Sequence, residues 1–313
     1  MKQEKIPNKA PAAGHSEDYF GGYRDFCWNT DSVALLAKRQ GCASCRRVLE
    51  VGCGAGHWAR VLTSQLIPGT ELTCLDRDPK WSDPKAAWAA AIRNRGIDLK
   101  ILPGDAMQMP FLDGTFDFVT CQTLLIHLAR PQQALAEMVR VLEPGGLLSC
   151  VEPDNFASFH AETSLSRTDS LEDDVAAYRF SLARARGRIA RGLGNLSLGG
   201  RLPGMFAAAR LDNVTVCLSD KALPLCPPYE RPEQAALISD IEKWHDSGRD
   251  FAKEEMRQNY LAGGGDPADF EAHWARELAG REKFRVAIRE RTYDGGGGML
   301  SYIVSGRKPA SPS

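Results

Sequence analysis

The 313-residue chain predicts an α/β fold, an open and mostly parallel sheet with helices on both faces. Three observations point there. Short apolar runs alternate with helical patterns across residues 47–151. The connections between them are short, as strand–helix–strand units require. A glycine-rich turn, Gly52-Cys53-Gly54-Ala55-Gly56, stands directly between the first strand and the next helix. In open parallel sheets that turn lies at the carboxyl edge, where ligands bind.

The elements follow in order. Residues 1–16 read as a loose polar tail, lacking the apolar stretch of a secretory signal. Across 19–40, aromatics precede a helical pattern of Val33, Leu35, Leu36 and Ala37, with Thr30 or Asp31 as its cap. Residues 47–51 form the first strand. After the glycine turn, Trp58, Val61, Leu62 and Leu66 recur at helical spacing. Residues 71–75 form the second strand, ending at Asp76, and 88–94 a helix. The third strand, 99–102, leads to Gly104-Asp105, and the fourth spans 116–121. Residues 134–142 form a helix stopped by Glu143-Pro144-Gly145-Gly146, and 147–151 the fifth strand.

The second half is less regular. Residues 170–191 and 201–209 read as helices and 214–218 as a strand. Residues 227–293 are mostly helical, interrupted by Gly263-Gly264-Gly265, and the glycine run 295–298 precedes a last strand, 299–305. The organisation expected is a tail and helical cap over 1–46 and one domain over 47–313. Its core is 47–155, 199–226 and 294–308, with helical insertions at 156–198 and 227–293. Insertions over the carboxyl edge are natural lids for a pocket. Packing of 227–293 on a second copy, a homodimer, is the alternative. The glycine run 295–298 reads as a lid hinge or a plain connection.

Composition narrows the function. Lys+Arg 39 against Asp+Glu 40 gives a net charge of −1, which argues against a dedicated nucleic-acid binder. No apolar run reaches about 18 residues, so no membrane insertion is expected. The nine cysteines are an odd, scattered set, and Cys53, Cys74, Cys121 and Cys150 lie inside apolar runs. That pattern suits reduced, buried thiols in a cytoplasmic protein. Cys42-Ala43-Ser44-Cys45 has no second pair at zinc spacing, so no metal site is expected there.

The chemistry concentrates at three strand ends. The glycine turn fails the dinucleotide pattern, because the third glycine would fall at His57, and no Gly-Lys-Ser/Thr of a phosphate loop follows. Asp76, at the end of the second strand, is an acceptor-only carboxylate suited to a ribose diol. Asp105, at the end of the third, can accept from an adenine exocyclic amine.

With these residues the chain resembles the class I S-adenosylmethionine-dependent methyltransferases, especially the small-molecule group that includes the quinone-biosynthesis C-methyltransferases. The resemblance rests on residues 48–56, Asp76, Gly104-Asp105-Ala106 with Met109-Pro110-Phe111, Phe116-Asp117-Phe118-Val119 and residues 140–146. It implies a Rossmann-like, seven-stranded sheet with an antiparallel last strand, and S-adenosyl-L-methionine as cofactor. Gly52, Gly54 and Gly56 would line the methionine and ribose portion, with Glu50 in the same set. Asp76 would hold the ribose diol and Arg77 flank the adenine. Asp105 and Ala106 would meet the adenine, and Gln122 the methionine portion. Tyr19, Tyr23 and Trp28 are candidates to close over the cofactor.

The expected reaction is direct in-line methyl transfer to a small-molecule acceptor, with oxygen, nitrogen and carbon acceptors all open. His127, within Leu124-Leu125-Ile126-His127-Leu128, is the candidate general base, with a helix-start histidine as the other reading. Tyr178 and Trp244 are candidate substrate-binding residues. Asp154-Asn155 resembles the magnesium-binding pair of catechol O-methyltransferases. Those enzymes also carry an acidic ligand after the fourth strand, where this chain reads Cys121-Gln122-Thr123, so no metal is expected. The same edge weakens an aminopropyltransferase, the first rival. A non-catalytic cofactor-binding module is the second.

Overall fold

The computed structural model describes residues 21–157, 162–167, 169–246, 249–297 and 300–310. Tyr19 lies outside the described residues. Among them, seven strands form one sheet: β1 (Arg47–Val51), β2 (Glu71–Asp76), β3 (Asp98–Pro103), β4 (Phe116–Gln122), β5 (Leu142–Pro153), β6 (Asp212–Leu218) and β7 (Ser301–Arg307). Their order is β3-β2-β1-β4-β5-β7-β6. The first five run parallel, and β7 is antiparallel to both β5 and β6. This is the Rossmann-like sheet that the sequence predicts.

Helices cover both faces of the sheet, which is why its central strands are near-continuous apolar runs. From α4 (Pro131–Val141) and α6 (Leu202–Ala208), Leu135, Met138, Leu202 and Phe206 pack with Leu49, Val119 and Leu148. From α2 (His57–Thr63) and α3 (Ala87–Arg93), Trp58, Leu62, Ala89 and Ile92 pack with Val48, Leu72 and Phe118. Three longer helices, α5 (Leu171–Ala190), α8 (Arg249–Ala262) and α9 (Phe270–Arg289), share a separate apolar cluster of Phe180, Ala183, Met256, Tyr260, Phe270 and Trp274. Trp244 of α7 (Pro232–Asp246) packs against it.

The structure departs from the sequence reading at two places. The helix α1 (Thr30–Gln40) is preceded by Asn29, whose extended backbone makes it the N-cap, so Thr30 and Asp31 are already helical. The helix α4 begins at Pro131, where a fixed φ and a missing N–H cost nothing, and ends at Val141. Its supposed stop signal lies inside β5, where Leu142 already pairs with Phe116 and the register then shifts before Phe118 meets Leu147. The glycines at 263–265 interrupt the helices as expected, between α8 and α9, and Gly263 also serves packing. A Cβ on Gly263 would lie 1.8 Å from the Ala183 carbonyl oxygen, so only glycine lets α8 close on α5.

Candidate active site

The carboxyl ends of β1, β2, β3 and β4 lie side by side, and the residues singled out in the sequence collect there. The turn after β1 is tied to β2 by the Gly52 N–H, which donates to the Leu75 carbonyl at 2.7 Å. Gly52, Gly54 and Gly56 have φ of +74°, +49° and +71°, the left-handed region that side chains resist. Packing adds a second reason at two of them. A Cβ on Gly52 would stand 2.7 Å from Leu124 Cδ1, and one on Gly56 2.4 Å from the Trp88 ring.

Asp76 is 7% exposed, yet neither of its carboxylate oxygens is saturated. One accepts from the Gly54 N–H at 2.9 Å and the other from the Asp78 N–H at 2.9 Å. Each oxygen retains acceptor capacity, so the group fits a vicinal diol laid against the glycine turn. Asp105 is half-buried and accepts from the Met107 N–H at 2.8 Å. Ala106 is buried in the core beside it, whereas Arg77 is exposed. Glu50 is 1% exposed and lies within the sheet, where its carboxylate takes the Cys74 thiol at 3.6 Å.

The N-terminal cap is latched to the same edge. Asp25, in a 3-10 turn over Tyr23–Phe26, has its Oδ1 2.7 Å from Nδ1 of His57, the first residue of α2. Arg60 also bonds Asp25 and approaches His57 Nδ1 at 2.8 Å. Burial pushes the Asp25 carboxyl up, but the hydrogen bond with His57 and the Arg60 charge outweigh it and hold the group below its ordinary value. Trp28 stands 5.0 Å from Trp58, ring to ring.

Beside the cap a cavity of about 270 Å³ opens at the end of β4. The cap contributes Tyr23, Arg24, Cys27 and Trp28, the end of β4 Gln122, and the loop after it Thr123. Ser219, Lys221 and Leu223 enter from the segment after β6, Leu237 from α7, and Gly297 and Ser301 from the approach to β7. Gly295 is bonded in both directions to Leu225, and a Cβ on Gly297 would lie 2.1 Å from the Leu223 carbonyl oxygen. Gly297 is thus part of the cavity wall, and Gly295 ties the approach to β7 to the segment after β6. Gly298 lies outside the described residues.

The loop after β4 is held from beneath by Glu152. This carboxylate is fully buried and accepts from the N–H groups of Leu124 at 2.9 Å, Leu125 at 2.7 Å and Ile126 at 3.4 Å. Burial pushes it up to about 7, against those hydrogen bonds and the Cys121 thiol. The loop it anchors contains Thr123 at φ +53°, on the cavity wall, and Leu124, against Gly52.

The structure brings together Gly52, Gly54, Gly56, Asp76, Asp105, Ala106, Gln122 and Trp28 at one edge. It sets other candidates elsewhere. His127 ends a 3-10 turn, is exposed and does not line the cavity. Tyr178 is 37% exposed and meets Phe156 edge-on, and Trp244 stacks under Arg281 at 4.9 Å in the helical cluster. Neither lines the cavity. Asp154 accepts from the Phe156 and Ala157 N–H groups, closing its own turn. Arg24, Ser219, Lys221 and Leu237 were missed by the sequence reading. The one available signal was position, since residues just past the carboxyl end of a strand belong to the ligand edge. Among the described residues, no cluster of three or more His, Cys, Asp or Glu is placed to hold a metal ion. No described helix is long and apolar enough to cross a membrane.

Residues 49–150 match a family described as a methyltransferase domain. A demethylmenaquinone methyltransferase of Staphylococcus aureus is 35% identical over 117 residues, 37% of this chain and 47% of that protein. The chain thus spans about half the length of the curated relatives it matches. Among solved structures, a putative methyltransferase from Bacillus halodurans is 22% identical, with 88% of this chain and 99% of that one covered at a TM-score of 0.46. A putative sarcosine dimethylglycine methyltransferase from Galdieria sulphuraria is 15% identical, with 90% and 85% covered at a TM-score of 0.45.

Proposed function

We propose that this chain, whose residues 49–150 match a methyltransferase domain, uses S-adenosylmethionine and methylates a small-molecule acceptor by direct in-line displacement. The observation that carries the reading is adjacency. The glycine turn, Asp76 and Asp105 occupy neighbouring strand ends, and the cavity opens at the next one, beside Gln122. The catalytic body is 47–155, 199–226 and 294–308, and the helices of 156–198 and 227–293 are insertions.

S-adenosylmethionine supplies a methyl group activated by its sulfonium charge. The chain's own work is positional. Asp76 and the turn of Gly52, Gly54 and Gly56 hold the ribose side, and Asp105 with Ala106 the adenine side. Gln122 and Thr123 face the junction of cofactor site and cavity. Trp28, Leu223 and Leu237 give the cavity apolar walls that exclude water and hold the acceptor atom in line, near ~3–3.5 Å from the methyl carbon.

Titration calorimetry tests the premise and an acceptor screen tests the rest. S-adenosylhomocysteine is expected to bind, with no comparable binding of NAD. Tight NAD binding with no response to either adenosyl compound overturns the cofactor reading. Cofactor binding without transfer to any acceptor would leave a binding module in place of an enzyme.

A further inference from the structure

We propose that the cavity at the end of β4 is built for a compact organic acid, held by Arg24 and Lys221. On the methyl-transfer reading above, which this inference deepens, that acid is the acceptor.

The first observation is the charge of the wall. Among the described residues, two cationic side chains line the cavity and no carboxylate does. The carboxylates nearby have other partners. Asp25 is bound by His57 and Arg60. Asp240 is 1% exposed, accepts from the Tyr23 N–H at 3.0 Å and pairs with Lys243 at 3.3 Å. Asp220 accepts from the Asn29 side-chain amide at 3.1 Å. Lys221 makes no salt bridge with any described residue. Arg24 hydrogen-bonds the Tyr23 hydroxyl, which orients it in the cap.

The second observation is that both cations act on one point in the wall. Burial pushes the Cys27 thiol up to about 11, the charges of Arg24 and Lys221 both pull it down, and the Asp25 carboxylate opposes them more weakly. An anion beside Cys27 therefore feels the two charges together. The third is the medium. Trp28, Leu223 and Leu237 are poor at screening, so a cation in this wall attracts an anion more strongly than one in open water. The volume, about 270 Å³, sits at the small end of ligand pockets and suits a compact body. Ser219 and Ser301 add hydroxyls that can donate to a carboxylate.

Cys27 makes the proposal testable without knowing the acceptor. The full chain is alkylated with iodoacetate, an anion, or with iodoacetamide, its neutral counterpart, and each thiol is followed by peptide mass spectrometry. Exposed Cys226 serves as the internal reference. The iodoacetate-to-iodoacetamide rate ratio at Cys27 is expected to exceed that at Cys226 by about tenfold, the low end of electrostatic focusing in a charged cleft. It should fall toward the Cys226 value in Lys221→Met, return in Lys221→Arg, and decline with added salt. The ratio is read because losing a cation also raises the thiol pKa and slows both reagents alike. Equal ratios at the two cysteines, indifference to Lys221→Met, or a Cys27 that neither reagent reaches would each overturn the proposal. Calorimetry with S-adenosylhomocysteine on the same protein separates the two readings. Cofactor binding with no charge preference refutes the acid alone, and charge preference without cofactor binding refutes methyl transfer alone.

Discussion

The carboxylate of Asp76 lies 2.9 Å from the amide nitrogen of Gly54, so the end of β2 and the glycine turn after β1 are one hydrogen-bonded unit. A ligand hydroxyl that meets Asp76 therefore meets a group already oriented by the backbone. Replacing Asp76 with Ala should weaken S-adenosylhomocysteine binding by roughly 1.5–3 kcal/mol, the scale of a hydrogen bond to a charged group. Asp78 caps the following 3-10 turn through the Lys80 N–H, so Asp78→Ala should do much less. Calorimetry of the two variants decides, and equal losses would mean that the diol is held elsewhere.

Glu152 gives the protein a pH-dependent stability. Its buried carboxyl titrates near 7, against an ordinary 4.5. A group whose folded pKa is raised stabilises the fold fully below its unfolded pKa and loses that contribution as pH rises through the folded one. Relative to Glu152→Gln, the wild type should therefore lose up to about 3 kcal/mol of unfolding free energy between pH 4.5 and 8. Urea unfolding at both pH values measures it. A difference that stays flat or grows with pH refutes the assignment.

The Asp25 latch has the opposite sign. Its carboxyl is held below the ordinary 3.8, so its contribution is present above that value and lost as pH falls through the depressed one. Asp25→Asn should reproduce the low-pH state at neutral pH. Hydrogen exchange should then quicken across residues 23–28 and stay unchanged in β1 and β4. Uniform exchange in wild type and variant would show that the latch does not hold the cap.

Gly187 lies in the contact between α5 and α8. A Cβ there would sit 1.6 Å from the Asn259 carbonyl oxygen, so Gly187→Ala must push the helices apart, a cost of about 1–3 kcal/mol. Limited proteolysis should then cut within 232–289 before it cuts within 47–153. Simultaneous cutting in both would show that helices and sheet unfold as one unit.

The sheet was legible because each of its parallel strands is a local signal, an apolar run followed by a turn residue of special conformation. The positions of Asp76 and Asp105 were legible for the same reason, one ending such a run and the other two residues past the end of one. The cavity was not. Lys221 shares a cavity with Arg24 only because β7 carries the chain back between β5 and β6, and no spacing in the sequence encodes that return. For Trp244 and Tyr178 the sequence offers no choice, because an aromatic at helical spacing reads the same whether it faces a cavity or a neighbouring helix. Here Trp244 lies beneath Arg281 and Tyr178 against Phe156. Glu143-Pro144-Gly145-Gly146 looked like a helix stop because a strand irregularity uses the same residues.

The place of β7 in the sheet has a consequence for synthesis. β6 hydrogen-bonds to no described strand except β7, and the two are separated in the chain by α7, α8 and α9. On the ribosome, at about 5–20 residues per second, β6 must wait several seconds for its only neighbour. Through that interval Val216 and Leu218, still about half exposed in the finished fold, stand on a strand with both edges open. The nascent chain is therefore most vulnerable to mispairing between the synthesis of β6 and that of β7, and a nonsense codon anywhere in α9 would release a product whose parallel sheet is built but whose β6 has nowhere to go.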